Sequence, residues 1–92
     1  MEPYSPALHI YNWMMNDAGL YSRFQDFVQY IKRRPTHIHS IANTANSLAN
    51  DTAKKAMRCN DFSEEFFTAD VLREAASLIL RDAETESGVT IK

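Results

Sequence analysis

The chain has 92 residues, of which 45% are hydrophobic, and a formal net charge of −2. This length supports one domain over residues 1–92, because two separate cores would each be too small to offset the entropy of ordering their chain. The apolar content excludes a wholly disordered chain, and two glycines and three prolines are too few for the turns of a small β-sandwich or barrel. Composition therefore predicts an all-α fold.

Membrane and secretory features are absent from the sequence. No apolar run is long enough to cross a bilayer, and the N-terminus lacks the basic and then apolar layout of a secretory signal. The lone Cys59 has no second cysteine with which to form an intrachain disulfide. We therefore expect a cytoplasmic protein without a membrane partner.

Capping signals divide the first half of the chain into two helices. Ser5 followed by Pro6 is typical of an N-cap with proline at the first helical position. We expect this helix to run to about Asp17 and to end with Gly19 in a left-handed conformation. A second helix is predicted from Leu20 and stops before Pro35, because the residue preceding a proline is disfavoured in α space.

Two further helices are predicted in the second half. Thr36 is the expected cap of a third helix that reaches about Cys59, with Pro35 in its first turn as the alternative. Asp61 and Glu64 have the spacing of a capping box and predict the start of a fourth helix, which Thr68 could restart after a kink. The sequence thus predicts a bundle of four helices, or five if the last helix is interrupted.

The predicted core follows the helical spacing of the apolar residues. The residues expected in it are Leu8, Trp13, Phe24, Val28, Ile31, Ile41, Leu48, Leu72 and Ile79. Residues 85–92 are expected to form a frayed tail, because they are polar and lie at a chain terminus.

No pattern typical of a catalytic or metal centre is present. His37 and His39 would lie about 200° apart on a helix, whereas helical zinc pairs are four residues apart on one face. Neither His9 nor Cys59 has a close ligand partner in sequence that would compensate. The sequence has no glycine-rich loop that could hold a phosphate. We therefore expect a protein that is not an enzyme, with no cofactor, no metal and no small-molecule substrate.

Charge is unevenly distributed along the chain. Residues 20–58 hold seven Lys and Arg against two Asp, and residues 59–92 hold three Lys and Arg against eight Asp and Glu. Helix dipoles favour cations at helix C-termini, which accounts for two basic clusters in structural terms. Six cations exceed that need, and asparagines on the third helix can contact bases or phosphates. A nucleic-acid surface would comprise Lys32, Arg33, Arg34, Asn46, Asn50, Lys54, Lys55 and Arg58.

The first predicted helix is apolar almost all the way round. Its apolar run comprises Ile10, Tyr11, Trp13, Met14 and Met15. A helix packed on one side of a small bundle needs a single apolar stripe, so this helix is either central in the bundle or presents a second apolar face to a partner. Trp, Tyr and Met are enriched at the cores of protein interfaces, which makes these five residues the candidate partner-binding surface.

Together these features favour a non-enzymatic protein-binding module, such as a small regulator, adaptor or stoichiometric inhibitor. It would dock a protein partner, or self-associate as a dimer, through the region around Trp13. By analogy, small inhibitors from mobile elements act on host machinery by occupying a surface. The alternative is a small nucleic-acid-binding regulator that uses the basic ends of helices two and three.

Overall fold

Four α-helices and one turn of 3-10 helix make up the fold, in a computed structural model that describes residues 3–91. The helices are α1 (Pro6–Asn16), α2 (Ala18–Arg33), α3 (Ile38–Arg58) and α4 (Ala69–Ser87), and the 3-10 turn (Glu64–Phe66) precedes α4. The all-α prediction is confirmed. Met1, Glu2 and Lys92 of the predicted domain lie outside the described residues.

A single residue forms the corner between α1 and α2. Asp17 is both the C-cap of α1 and the N-cap of α2, and its Oδ2 accepts the Leu20 N–H at 3.0 Å. Gly19 lies inside α2, so the prediction that it ends the first helix is wrong. The Asp17 side chain satisfies a free N–H at the start of the next helix, and no glycine is needed to make the corner. The predicted start of α1 is confirmed, because the Ser5 Oγ accepts the Leu8 N–H at 3.2 Å.

The junction between α2 and α3 is set by proline. α2 ends at Arg33, two residues before Pro35, as predicted. The N-cap of α3 is His37, whose side chain makes no capping hydrogen bond, so the prediction that Thr36 caps this helix is wrong. The Thr36 backbone oxygen instead accepts the Ile38 N–H at 2.9 Å in a tight turn.

The end of α3 is a Schellman motif. Asn60 has a left-handed backbone (φ 57°), which asparagine adopts more readily than most residues. The N–H of Asn60 donates to the Met57 oxygen at 3.0 Å, and the N–H of Asp61 donates to the Ala56 oxygen at 2.8 Å. The chain therefore turns sharply at Asn60 and projects Asp61 back towards α1.

The fourth α-helix begins later than predicted. Asp61 does not cap it; the N-cap is Thr68, whose Oγ1 accepts the Val71 N–H at 3.3 Å. The predicted restart at Thr68 is thus the real start, and the segment before it contains only the 3-10 turn. The Asp61 carboxylate instead accepts the indole N–H of Trp13.

The C-terminal end of α4 lies in the segment that the sequence predicts to be a frayed tail. Helical hydrogen bonding continues to Ser87, and Gly88 ends the helix in a left-handed conformation (φ 72°). The Ile91 N–H donates to Glu84 Oε2 at 2.8 Å, and the Ile91 side chain packs against the core. Residues 85–91 are therefore held by capping and by a hydrogen bond back to α4.

The core lies at the centre of the bundle, where each helix contacts the other three. Six of the predicted core residues are buried, namely Phe24, Val28, Ile31, Ile41, Leu48 and Ile79. Leu8 is 46% exposed, so its assignment to the core is wrong, and Trp13 and Leu72 are only partly buried. The most extensive interface joins α3 and α4, and it contains buried alanines that let the two helices approach closely.

No helix in the described part of the chain combines the length and the apolar character required to cross a bilayer.

Candidate functional site

The first helix presents one buried face and two flanks. Ile10 and Met14 are fully buried, so two of the five predicted partner-binding residues belong to the core and offer no surface to a partner. At about 100° per residue, Tyr11 and Met15 lie on one flank and Trp13 lies on the other. These three side chains are partly buried. The five residues of the predicted docking surface are therefore divided between the core and two separate flanks of α1.

Trp13 is fixed at the surface by a carboxylate from a distant part of the chain. Its indole Nε1 donates to Asp61 Oδ2 at 2.6 Å. The Schellman motif at the end of α3 places Asp61 at this position, so the local backbone of residues 56–61 determines the contact. The Trp13 ring is thus partly exposed while its one polar atom is held by Asp61.

A groove of about 510 Å³ lies beside Trp13. The residues that line this Trp13 groove are His9, Asn12, Trp13, Asn16, Asp17 and Asp61. α1 contributes the first four, the α1–α2 corner contributes Asp17 and the loop after α3 contributes Asp61. The groove combines one large aromatic ring with carboxylates, amides and an imidazole, and no lysine or arginine lines it.

Asp17 connects the groove to α3. Its carboxylate accepts two hydrogen bonds from Lys55 Nζ, at 2.9 and 3.0 Å, in addition to the Leu20 N–H. The hydrogen bond from Lys55, followed by that from Leu20, holds the pKa of Asp17 below its ordinary value of 3.8. Asp17 therefore stays ionised at neutral pH, with its charge compensated by Lys55.

An aromatic cluster adjoins the groove at His9. Tyr4 Oη lies 3.0 Å from His9 Nδ1, and His9 Nε2 lies 3.6 Å from Asp61 Oδ2. The ring centroids of His9 and Phe62 are 5.8 Å apart, and those of Tyr4 and Phe66 are 5.3 Å apart. Burial, and then the negative charge of Asp61, raise the pKa of Tyr4. The tyrosine therefore remains a neutral hydrogen-bonding group.

The opposite flank of α1 packs against α4. Tyr11 Oη donates to Asp82 Oδ2 at 2.5 Å. A shallower groove of about 320 Å³ lies here, lined by Leu8, Tyr11, Leu78, Arg81, Asp82 and Thr85. The Tyr11 hydroxyl is bonded to Asp82 and its ring is partly buried. This flank therefore exposes less aromatic surface than the sequence predicted.

The predicted nucleic-acid residues do not form one surface. Lys32, Arg33 and Arg34 are exposed at the end of α2, and Lys54 and Arg58 are exposed at the end of α3. The two clusters lie at opposite ends of α3, about 30 Å apart by helical rise. Asn46 is exposed on α3.

Two of the eight residues predicted to bind nucleic acid, Lys55 and Asn50, contact or are enclosed by other parts of the fold. Lys55 pairs with Asp17 at 2.9 Å. Asn50 is half-buried, and its Oδ1 is enclosed without a hydrogen-bond partner in the described residues. Lys55 thus stabilises the α1–α2 corner, and the side-chain oxygen of Asn50 is closed to a ligand.

Metal-ligating side chains do not converge within residues 3–91, where no group of three or more His, Cys, Asp or Glu could hold an ion. Cys59 is exposed at the end of α3. His37 contacts Tyr30, with 3.0 Å between its Nδ1 and the tyrosine hydroxyl.

The sequence indicated Trp13 but missed most of its surroundings. Asp61 and Asp17 were assigned only as helix-terminal residues, although both line the groove. One available signal was the spacing of His9 with Trp13 and of Asn12 with Asn16, since residues four apart share a helix flank.

Comparison of the chain with protein-family models, with curated proteins and with solved structures finds no match.

Proposed function

We propose that the chain is a non-enzymatic protein-binding module that docks a partner through the Trp13 groove. The observation that supports this proposal is the partly exposed Trp13 ring, held at the groove by the 2.6 Å hydrogen bond to Asp61. Tryptophan is among the residues most enriched at binding hot spots, where a large apolar ring is surrounded by polar groups. The polar surroundings here are the amides, the imidazole and the carboxylates of the groove.

Rigidity of the groove supports the same function. Ile10 and Met14 anchor α1 in the core, and Asp17 locks the α1–α2 corner to α3 through Lys55. A surface that is already ordered loses little conformational entropy when a partner binds. A small regulator, adaptor or stoichiometric inhibitor acts in this way, by occupying a surface of its target.

The test compares proteins captured from the native host by the wild-type chain and by variants. Asn12→Arg places a large side chain in the groove and removes no native side-chain hydrogen bond, because the Asn12 side chain makes none within residues 3–91. Gln29→Arg is the matched control, since Gln29 is exposed on α2 outside the groove. We expect a partner that binds the wild type and Gln29→Arg but not Asn12→Arg.

Affinity measurement with the purified partner then quantifies the contribution of the indole. Trp13→Ala should weaken binding by at least about thirtyfold, which corresponds to a hot-spot contribution of roughly 2 kcal/mol. Circular dichroism checks that the variant is folded. Identical capture by the wild type, Asn12→Arg and Gln29→Arg would contradict the proposal.

A second candidate function is nucleic-acid binding, and the exposure of five basic side chains favours it. Lys32, Arg33, Arg34, Lys54 and Arg58 are all exposed, and none of them forms an ion pair within residues 3–91. Replacing Lys54 and Arg58 by Glu tests this candidate without breaking the ion pair of Lys55. A nucleic-acid complex would be lost, whereas a contact at the Trp13 groove would persist.

A further inference from the structure

The Trp13 groove is electrostatically asymmetric. Its lining includes the carboxylates of Asp17 and Asp61, and no lysine or arginine lines it. Lys55 compensates Asp17 by an ion pair at 2.9 Å. No lysine or arginine within residues 3–91 lies at ion-pair distance from Asp61; the basic side chain beside it is His9, whose Nε2 lies 3.6 Å from Oδ2. The carboxylate of the groove without a lysine or arginine partner is therefore that of Asp61.

Asp61 is open to a ligand. Its side chain is 59% exposed. The contacts from Trp13 Nε1 and His9 Nε2 both fall on Oδ2, and Oδ1 accepts no hydrogen bond within residues 3–91. The indole contact holds the carboxylate in place. A charged acceptor thus stands beside an aromatic ring with one oxygen available.

The neighbouring amides add further acceptors. Asn16 donates its Nδ2 to the backbone oxygen of Asn12 at 2.8 Å, which leaves the Asn16 side-chain oxygen as an acceptor at the groove. The Asn12 side chain is exposed one turn away on the same flank. A ligand that fits this groove carries several N–H donors, a positive charge and a surface that packs against indole.

We infer that the Trp13 groove binds a cationic side chain from a partner protein, with arginine preferred over lysine. The guanidinium group is planar, always charged and weakly hydrated, and it both packs on aromatic rings and donates to carboxylates. The ammonium group of lysine is compact and strongly hydrated, so it gains less from the indole. This inference rests on the proposed docking function and specifies the chemistry of the partner segment.

The chain provides its own reporter for the test. Trp13 is the only tryptophan, so the one indole N–H signal in a ¹H–¹⁵N spectrum reports on the groove directly. The probe is the tripeptide acetyl-Ala-Arg-Ala-amide, and the matched control replaces its arginine with citrulline, which is nearly isosteric but neutral. We expect a saturable shift of the indole signal with the arginine peptide, at least tenfold weaker binding of the citrulline peptide, and intermediate binding of a lysine peptide.

Variants assign the effect to Asp61. Asp61→Asn removes the charge and keeps an oxygen that accepts the indole N–H, so the fold is preserved and the arginine peptide should bind at least tenfold more weakly. Asp26→Asn removes an exposed carboxylate of α2 outside the groove and should leave binding unchanged. Absence of a saturable shift, or equal shifts with the arginine and citrulline peptides, would overturn the inference.

The outcomes separate this inference from the function on which it rests. If Asn12→Arg abolishes partner capture but the arginine peptide does not bind, docking stands and the cationic specificity is wrong. If the arginine peptide binds but capture does not depend on the groove, the docking function is wrong. Light scattering that shows a dimer dissociated by Asn12→Arg would identify the occupant as a second copy of the chain and would overturn the assignment to a partner protein.

Discussion

Tyr11 and Trp13 hold α1 from its two flanks, each through a carboxylate of another element. The Tyr11 hydroxyl donates to Asp82 of α4, and the Trp13 indole donates to Asp61 of the loop after α3. Each ring packs against the core while its polar atom reaches a charged acceptor. Part of the apolar excess of α1 is thus accounted for by aromatic residues with a polar end, which attach the helix on both sides.

Removing the Tyr11 hydroxyl should cost stability. Tyr11→Phe leaves the ring in place and deletes the hydrogen bond to Asp82, so we expect a loss of about 1 kcal/mol in the free energy of unfolding. Urea denaturation measures this loss. Tyr21→Phe is the matched control, because the Tyr21 hydroxyl is exposed on α2 and forms no hydrogen bond within residues 3–91.

The Tyr11 contribution should also depend on pH in a defined direction. The hydrogen bond to Asp82, and then burial, raise the pKa of Tyr11 from 10.0 to about 12. Because the folded pKa lies above the unfolded value, the contribution is complete below pH 10 and is lost as the pH rises towards 12. The stability difference between wild type and Tyr11→Phe should therefore narrow above pH 10. A difference that stays constant would contradict the assigned hydrogen bond.

At the scale of the elements, local signals predicted helix ends wherever one residue type decides the conformation. The start at Ser5–Pro6 and the stop before Pro35 are confirmed, because capping and proline sterics act over a few residues. The prediction that Gly19 ends the first helix is wrong because two local signals compete at the corner between α1 and α2. Asp17 caps α2 there, and a helix start tolerates glycine, so the glycine stays helical.

The two glycines of the chain make opposite predictions for alanine substitution. Gly88→Ala should destabilise the protein by about 1 kcal/mol, because Gly88 has a φ of 72° and a left-handed alanine is strained. A Cβ at Gly88 would meet no atom within 4 Å, so the cost arises from the backbone alone. Gly19→Ala should stabilise the protein by about 0.5 kcal/mol, because alanine favours helix and its Cβ would lie 3.5 Å from Asp17 Oδ2.

Urea denaturation of the two variants provides their mutual control. The substitution is chemically identical at both positions, so effects of alanine on solubility or on the unfolded chain are shared. Opposite signs are expected. A loss of stability in Gly19→Ala comparable to that in Gly88→Ala would show that Gly19 adopts a conformation other than helix.

At the scale of the whole molecule, the sequence predicted the class of fold more completely than the site. Helical periodicity fixes the angle between two residues of α1 but not which side faces the core when the helix is apolar all round. Ile10 and Met14 therefore could not be distinguished from Trp13 by spacing. The contact between Trp13 and Asp61 joins residues 48 positions apart, so it depends on how α1 and α3 pack.

The packing of the helices also determines where the basic and acidic residues lie on the surface. The basic clusters occupy the end of α2 and the end of α3, and five of the eight acidic residues of 59–92 lie on α4, which packs against the other three helices. Lys55, the most enclosed cation of the second cluster, compensates Asp17. The seven cations of residues 20–58 are therefore divided between two distant surfaces and two ion pairs, those of Lys55 with Asp17 and of Arg23 with Asp51.

This division predicts weak, shallow salt dependence with duplex DNA. A six-base-pair duplex spans about 20 Å, so it contacts only one cluster, and three cations give a slope of log K against log salt of about −2.7. If both clusters bound one duplex, five exposed cations would give a slope near −4.5, and affinity would rise sharply once the duplex exceeded about 30 Å, or nine base pairs.

We expect the shallow slope with a duplex of six base pairs and also with one of fifteen. The reason is that the clusters lie at opposite ends of a rigid helix and that the Trp13 groove, between α1 and the loop after α3, is acidic. Titration of duplexes of six and fifteen base pairs at several salt concentrations measures the slope. A steep slope that appears only with the longer duplex would make nucleic-acid binding the better explanation of the exposed cations.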